Sequence, residues 1–195
     1  MKLTKLAIAA TLLAGCVFNS YADIDTKHIN QVIENSMARF DVPGMAVAIV
    51  ENDKVIFAKG FGVSNLDTGS KVNKDTLFGI ASNTKAFTVA ALAKLVDEEK
   101  LSWDDKVIDH LPEFRLYDPY VTREMTIRDL LSHRSGLGLG QGDLMIWPDT
   151  DKSIEEILAG LKYLKPASSF RSTYAYNNLM FVTAGEVVAR VSGMS

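Results

Sequence analysis

Two apolar runs, Met45 to Val50 and Val55 to Phe61, are separated only by Glu51-Asn52-Asp53-Lys54. Their composition reads as two strands, and so short a polar link joins them as an antiparallel hairpin. Upstream, Ile29, Val32, Ile33, Met37 and Phe40 recur at helical spacing until Val42-Pro43-Gly44 stops the pattern, so an amphipathic helix precedes the hairpin. Asp67-Thr68-Gly69 marks a further turn.

Beyond the hairpin the pattern becomes helical. Turn and proline signals dominate from Leu101 to Pro119, with short helices expected at Val107 to Leu111 and Thr126 to Ser132. Ser153-Ile154-Glu155-Glu156 has capping-box spacing, and Ile154, Ile157, Leu158, Leu161 and Leu164 form one apolar face before Pro166. A last helix is expected from Leu179 to Val191. The order predicts an α/β (α+β) fold: an antiparallel sheet flanked by helices, with an all-α insertion over about residues 100–175.

Between these regions, Ser82-Asn83-Thr84-Lys85 opens the apolar run Ala86 to Leu92, at what reads as the start of a buried helix. Residues three apart share a helix face, so the Lys85 amine can reach the Ser82 hydroxyl. A serine needs a neighbouring base to act as a nucleophile. Free lysine has a pKa of about 10.4, and lowering it to about 7 takes about 4.6 kcal/mol of preference for the neutral amine, from burial or nearby positive potential. The first helical turn helps, because the positive end of the helix dipole disfavours a cation there. A capping serine beside a solvated lysine would produce the same four residues.

Tyr176-Asn177-Asn178 supplies a phenol that can relay protons and an amide that can orient a substrate. It reads equally as a loop entering the last helix, with Asn178 as the cap. Together and in this order, the two motifs resemble the serine β-lactamase and penicillin-binding-protein superfamily, in particular its class C β-lactamase-like branch of esterases, D-amino-acid peptidases and β-lactamases. Thr76-Leu77-Phe78-Gly79-Ile80-Ala81, Leu101-Ser102-Trp103-Asp104-Asp105-Lys106-Val107, Leu111-Pro112-Glu113-Phe114 and Thr126 to Leu137 are similar to further stretches of that family, so the resemblance spans roughly Ile24 to the end.

The resemblance implies a β-lactamase/transpeptidase-like fold and a serine hydrolase acting through an acyl-enzyme on an ester, amide or β-lactam. Ser82 would attack, Lys85 would accept its proton, Tyr176 would relay a proton to the leaving group, and Asn178 would position the substrate. The Ser82 backbone N–H would form half of an oxyanion hole. The family's other half comes from a later strand with a Lys/His-Thr/Ser-Gly motif, which this sequence does not contain. Residues 23–195 are therefore expected to be the N-terminal part of a β-lactamase-related domain, lacking its C-terminal strands and hydrolysing little alone. A noncatalytic cell-envelope binding protein on the same scaffold is the alternative. His133-Arg134-Ser135-Gly136 looks more like the general hydrolases of the branch than a dedicated β-lactamase.

The first residues predict export. Lys2 and Lys5 precede the mostly apolar Leu6 to Phe18, and Ser20-Tyr21-Ala22 ends in the small-residue style of a signal cleavage site, giving a signal peptide over residues 1–22 and a periplasmic or secreted product. Leu13-Ala14-Gly15-Cys16 offers the alternative of a lipoprotein signal, with residues 1–15 removed and Cys16 lipidated; membrane attachment is expected only then. As the only cysteine, Cys16 rules out an intramolecular disulfide.

The chain has 195 residues, 47% of them hydrophobic, enough for one sizeable core. A net charge of −3 with scattered Lys and Arg argues against a nucleic-acid partner, leaving a small molecule, peptide or ester as the expected one. No cofactor is expected. His28, His110 and His133 lack metal-ligand spacing, and Asp149 to Ser153 starts like a calcium loop but has Ile154 where glycine belongs. No Gly-x-Ser-x-Gly elbow supports a Ser/His/Asp triad, so His133 is expected to hydrogen-bond within the turn after its helix. Gly136 to Gly142 lacks the context of a phosphate cradle and reads as a flexible loop beside the cleft. Met145 and Trp147 are expected to be buried packing.

Overall fold

The computed structural model describes residues 25–194, so the leader and Cys16 lie outside the described residues. The chain divides into two compact units, one up to Phe78 and one from Gly79.

In the first unit, α1 (Thr26–Arg39) starts at Asp25, whose carboxylate accepts from the His28 N–H at 3.0 Å. Of the expected apolar face only Ile33 is buried; Val32 is half-exposed, and Phe40 lies past the helix end and is 72% exposed. The hairpin forms as β1 (Gly44–Glu51) and β2 (Lys54–Gly62), antiparallel with Gly44 opposite Gly62 and Glu51 opposite Lys54. Its turn is tighter than the sequence suggested. Only Asn52 and Asp53 link the closing pair, with φ of 48° and 61°. Two successive left-handed residues match the right-handed twist of the strands, and Asn and Asp tolerate that conformation. The register shifts between Ile49, which faces Phe57, and Val50, which faces Val55, leaving Ile56 as a bulge. Gly62 has φ +68°, and a Cβ there would sit 2.1 Å from the Pro43 carbonyl oxygen, so glycine is required.

The second unit is helical: α2 (Thr84–Asp97), α3 (Val107–His110), α4 (Pro119–Glu124), α5 (Ile127–Leu131), α6 (Ile154–Gly160) and α7 (Leu179–Ser192). Leu179, Met180, Ala184 and Val187 of α7 are fully buried, and this helix packs against α2, α3, α5 and α6. Around it lie Leu92, Phe114, Met125, Ile127, Leu130 and Leu161 in one core. The α2 helix is buried on one side only: Leu92 and Leu95 pack inward whereas Phe87 is 66% exposed. An apolar residue on a face that meets no neighbour stays in solvent, whatever its hydropathy.

Capping chemistry sets the short helices. Both α5 and α6 begin with reciprocal capping boxes, Thr126 with Asp129 and Ser153 with Glu156. The α6 face is shorter than the apolar spacing implied. The helix stops at Gly160, continues as a 3₁₀ turn over Leu161–Tyr163, and leaves Ile154 41% exposed. Helix α4 arises where the sequence showed chiefly turns, with Pro119 in its first turn and the Asp118 carboxylate accepting from Tyr120 N–H at 2.7 Å.

Candidate active site

Ser82 lies in the 3₁₀ turn Ala81–Asn83 that feeds α2, and its side chain caps nothing. Ala81 adopts φ +44°, an uncommon conformation for a residue with a Cβ, immediately before Ser82. Ser82 is exposed, and Lys85, in the first turn of α2, is half-buried beside it. The Lys85 Nζ is 3.3 Å from Ser82 Oγ, and Tyr176 Oη is closer still, at 2.5 Å. Lys85 donates to Asn178 Oδ1 at 2.7 Å. Residues 82, 85, 176 and 178, singled out in the sequence, are thus brought together in one hydrogen-bonded group.

The amine also lies 4.7 Å from the centre of the Tyr176 ring and 5.3 Å from that of Phe181. Its hydrogen bond, with that of Ser82, draws the Tyr176 hydroxyl below the usual tyrosine value despite opposition from burial. The phenol oxygen lies nearer to the serine oxygen than the amine does, and either hydroxyl of that pair can be the donor.

Tyr176 is held by its backbone and by its ring. Its carbonyl accepts from Gly140 N–H at 2.9 Å, and the preceding Ala175 N–H donates to His133 O at 2.8 Å. The His133 imidazole stacks on the Tyr176 ring with centroids 4.5 Å apart, and on Phe181 at 5.2 Å. Its Nδ1 accepts from the Asn177 N–H at 3.1 Å. His133 therefore bonds to a residue 44 positions away and not within its own turn.

Asn177 takes the capping role that the alternative reading of this stretch gave to Asn178. It is completely buried, and its Oδ1 accepts from Leu179 N–H at 3.1 Å and Met180 N–H at 3.4 Å, serving the start of α7. Its amide nitrogen donates to Gln141 O at 2.9 Å. Asn178 makes no capping bond, so its amide is free for Lys85 on one side and Asp143 Oδ2, at 2.9 Å, on the other. Two asparagines in succession are the sequence signal for this division of labour, since one can cap while the other points into the site.

The glycine-rich stretch is tied to the site by hydrogen bonds, in contrast to the loose loop its composition suggested. Gly138 N–H donates to the Gln141 side chain at 2.8 Å, Gln141 donates to Lys165 O at 2.8 Å, and the carbonyls of Gln141 and Tyr176 take the bonds described above. Gly142, with φ +86°, has room for no side chain: a Cβ would meet Leu179 Cδ1 at 2.4 Å. Asp143 follows it, the one charged residue between Leu137 and Trp147, a position that stands out in the sequence once noticed. Met145 packs against the core, but Trp147 is 70% exposed, contrary to the expectation of burial.

The beta-lactamase family model matches residues 29–195. The chain belongs to this family. A relative, the unguisins hydrolase of Aspergillus campestris, is 34% identical over 171 residues, covering 84% of this chain and 31% of the relative. Protein flp of Staphylococcus aureus is 37% identical over 111 residues, covering 57% of this chain and 22% of that protein. The chain thus spans about a third or less of the length of these curated relatives.

Solved family structures agree with the fold. A class C beta-lactamase aligns with a TM-score of 0.72 at 25% identity, covering 90% of this chain and 47% of that one. The octameric penicillin-binding protein homologue from Pyrococcus abyssi aligns with a TM-score of 0.70 at 29% identity, covering 88% and 40%. The β-lactamase/transpeptidase-like architecture expected from the motifs is borne out.

Proposed function

We propose that this chain carries the nucleophile centre of a serine hydrolase that forms an acyl-enzyme on an ester, amide or β-lactam carbonyl. One observation carries the reading: the exposed Ser82 oxygen lies 2.5 Å from Tyr176 Oη and 3.3 Å from Lys85 Nζ. In the proposed reaction Ser82 Oγ attacks the carbonyl carbon while its proton passes to the Tyr176–Lys85 pair. Tyr176 then delivers that proton to the departing oxygen or nitrogen, and water later cleaves the Ser82 ester by the reverse proton path. The Ser82 backbone N–H serves as an oxyanion donor and Asn178 holds the substrate beside Lys85.

A noncatalytic binding role has less support, since Ser82, Lys85, Tyr176 and Asn178 are all present and joined by hydrogen bonds. The leader read in residues 1–22 supports a periplasmic or secreted setting, which sequencing of the mature N-terminus tests. The function is tested by treating the intact protein with a fluorophosphonate and a fluorescent penicillin. The expected adduct maps to Ser82 and is lost in Ser82→Ala; an adduct elsewhere, or equal labelling of the variant, overturns the assignment.

A further inference from the structure

An amide side chain has no intrinsic preference for which end faces which neighbour, so Asn178 needs an external reason to present oxygen to Lys85. Asp143 supplies it. An ionised carboxylate only accepts hydrogen bonds, so the Asn178 group facing Asp143 Oδ2 at 2.9 Å must be the NH₂. The opposite end, the carbonyl oxygen, is then aimed at Lys85, 2.7 Å away.

The carboxylate is rigidly placed. The Asp143 N–H donates to Gly140 O at 3.0 Å, and its carbonyl accepts from Ile146 N–H at 2.9 Å and Trp147 N–H at 2.8 Å. A side chain on Gly140 would crowd Asp143 Oδ2 at 3.3 Å. Its other oxygen, Oδ1, is buried and has no hydrogen-bond partner among the described residues. Withdrawing a carboxylate from water for one hydrogen bond is unfavourable by itself. Stability therefore does not explain why an acid occupies this position, whereas control of the Asn178 amide does.

We propose that Asp143 is a positioning residue for the Ser82 centre, its carboxylate locking the Asn178 amide so that the amide oxygen holds Lys85 beside the serine. The inference rests on the reading of Ser82 as nucleophile. With Asp143 removed, the amide rotates freely, can turn its NH₂ toward the amine, and Lys85 loses a fixed acceptor. The chain of contacts runs from the glycine-rich loop through Asp143 and Asn178 to Lys85, so this loop bears on the chemistry through hydrogen bonds alone.

The test is a double-mutant cycle on the intact protein, reading the second-order rate of fluorophosphonate labelling at Ser82 for wild type, Asp143→Ala, Asn178→Ala and the double variant. Asp143→Ala is expected to slow labelling about tenfold, the size of one lost hydrogen bond to a charged group, and to add nothing once Asn178 is already alanine. Asp143→Asn, of the same size but able to turn an NH₂ as well as an oxygen toward Asn178, removes the acceptor-only group and is expected to recover little of the rate. Wild-type labelling at Ser82 with an unchanged rate in Asp143→Ala, an additive cycle, or an Asp143→Asn variant as fast as wild type overturns the positioning role alone. A wild-type adduct away from Ser82 removes both this inference and the nucleophile assignment.

Discussion

The Asn177 N–H donates to His133 Nδ1 at 3.1 Å, so the lone pair a proton would need is already engaged. Burial, and then the nearby Lys85 charge, keep the imidazole below its ordinary value. A neutral ring stacked under Tyr176 is part of the folded arrangement, with a consequence for pH.

In the unfolded chain His133 takes up a proton near pH 6.5, while in the folded chain it resists until lower pH. The unfolded state therefore binds more protons in that window, so the His133 contribution is fully present above about pH 6.5 and is lost as pH falls through the folded value. The expected outcome is a fall in the urea midpoint from pH 7.5 to pH 5.5 that is smaller in His133→Asn, asparagine being tolerant of the left-handed backbone (φ +55°) at this position. Equal pH dependence in both proteins would show that His133 is not a source of it.

Tyr176→Phe retains the ring that packs on His133 but loses the hydroxyl 2.5 Å from Ser82. Acylation of Ser82 by a fluorophosphonate is expected to slow about 10² to 10⁴-fold, with little change in the thermal midpoint, and Lys85→Ala to slow it by a similar factor. Stopped-flow or gel-based labelling rates provide the check, and a Tyr176→Phe rate within twofold of wild type contradicts the proton path.

Asn177→Leu removes an acceptor from the Leu179 and Met180 N–H groups and a donor from the Gln141 carbonyl, all around a fully buried side chain. The expected cost is about 2–4 kcal/mol, from a lost cap together with unsatisfied polar groups. Urea unfolding of both proteins measures it, and a loss below about 1 kcal/mol would mean that water replaces these bonds.

Arg171 grips Asp129 with two bonds, Nε to Oδ1 at 2.9 Å and Nη2 to Oδ2 at 2.6 Å. Burial works to raise the Asp129 carboxyl, but Arg171 and Thr126 outweigh it and leave it below the usual range. Its stabilising contribution is thus present above about pH 3.9 and lost as pH falls through the lower folded value. Because Arg171 remains about half exposed (48%), screening reduces the pair, and Arg171→Ala is expected to destabilise by about 1–3 kcal/mol, with guanidinium chloride melts at pH 7 as the measurement. Arg171 also donates to Glu124 O, a bond the variant loses, whereas the bond from Arg134 to the Arg171 backbone carbonyl is kept.

Much of this was legible from local chemistry. The hairpin followed from two β-rich runs and a polar link and α6 from the Ser153/Glu156 capping box, since each depends on neighbours within a few residues, and α7 lies where a last helix was expected. The Ser82 to Lys85 spacing pointed to the site because three residues on or near a helix already place two side chains side by side. Helix α4, the early end of α6 and the exposure of Val32, Phe87 and Trp147 were not legible, because burial depends on which face meets another element.

The order of residues alone determined the candidate nucleophile and amine, the spacing that joins them, the hairpin, and the capping box that starts α6. Only the tertiary structure decided that Tyr176 lies nearer the serine oxygen than Lys85 does, that Asn177 caps α7 while Asn178 faces the amine, and that Asp143 joins the network. The physical reason is range. Hydrogen-bond geometry within a turn is fixed by backbone dihedrals a few residues apart, whereas contacts bridging 35 to 94 positions exist only after the packing of α7 has brought those segments together.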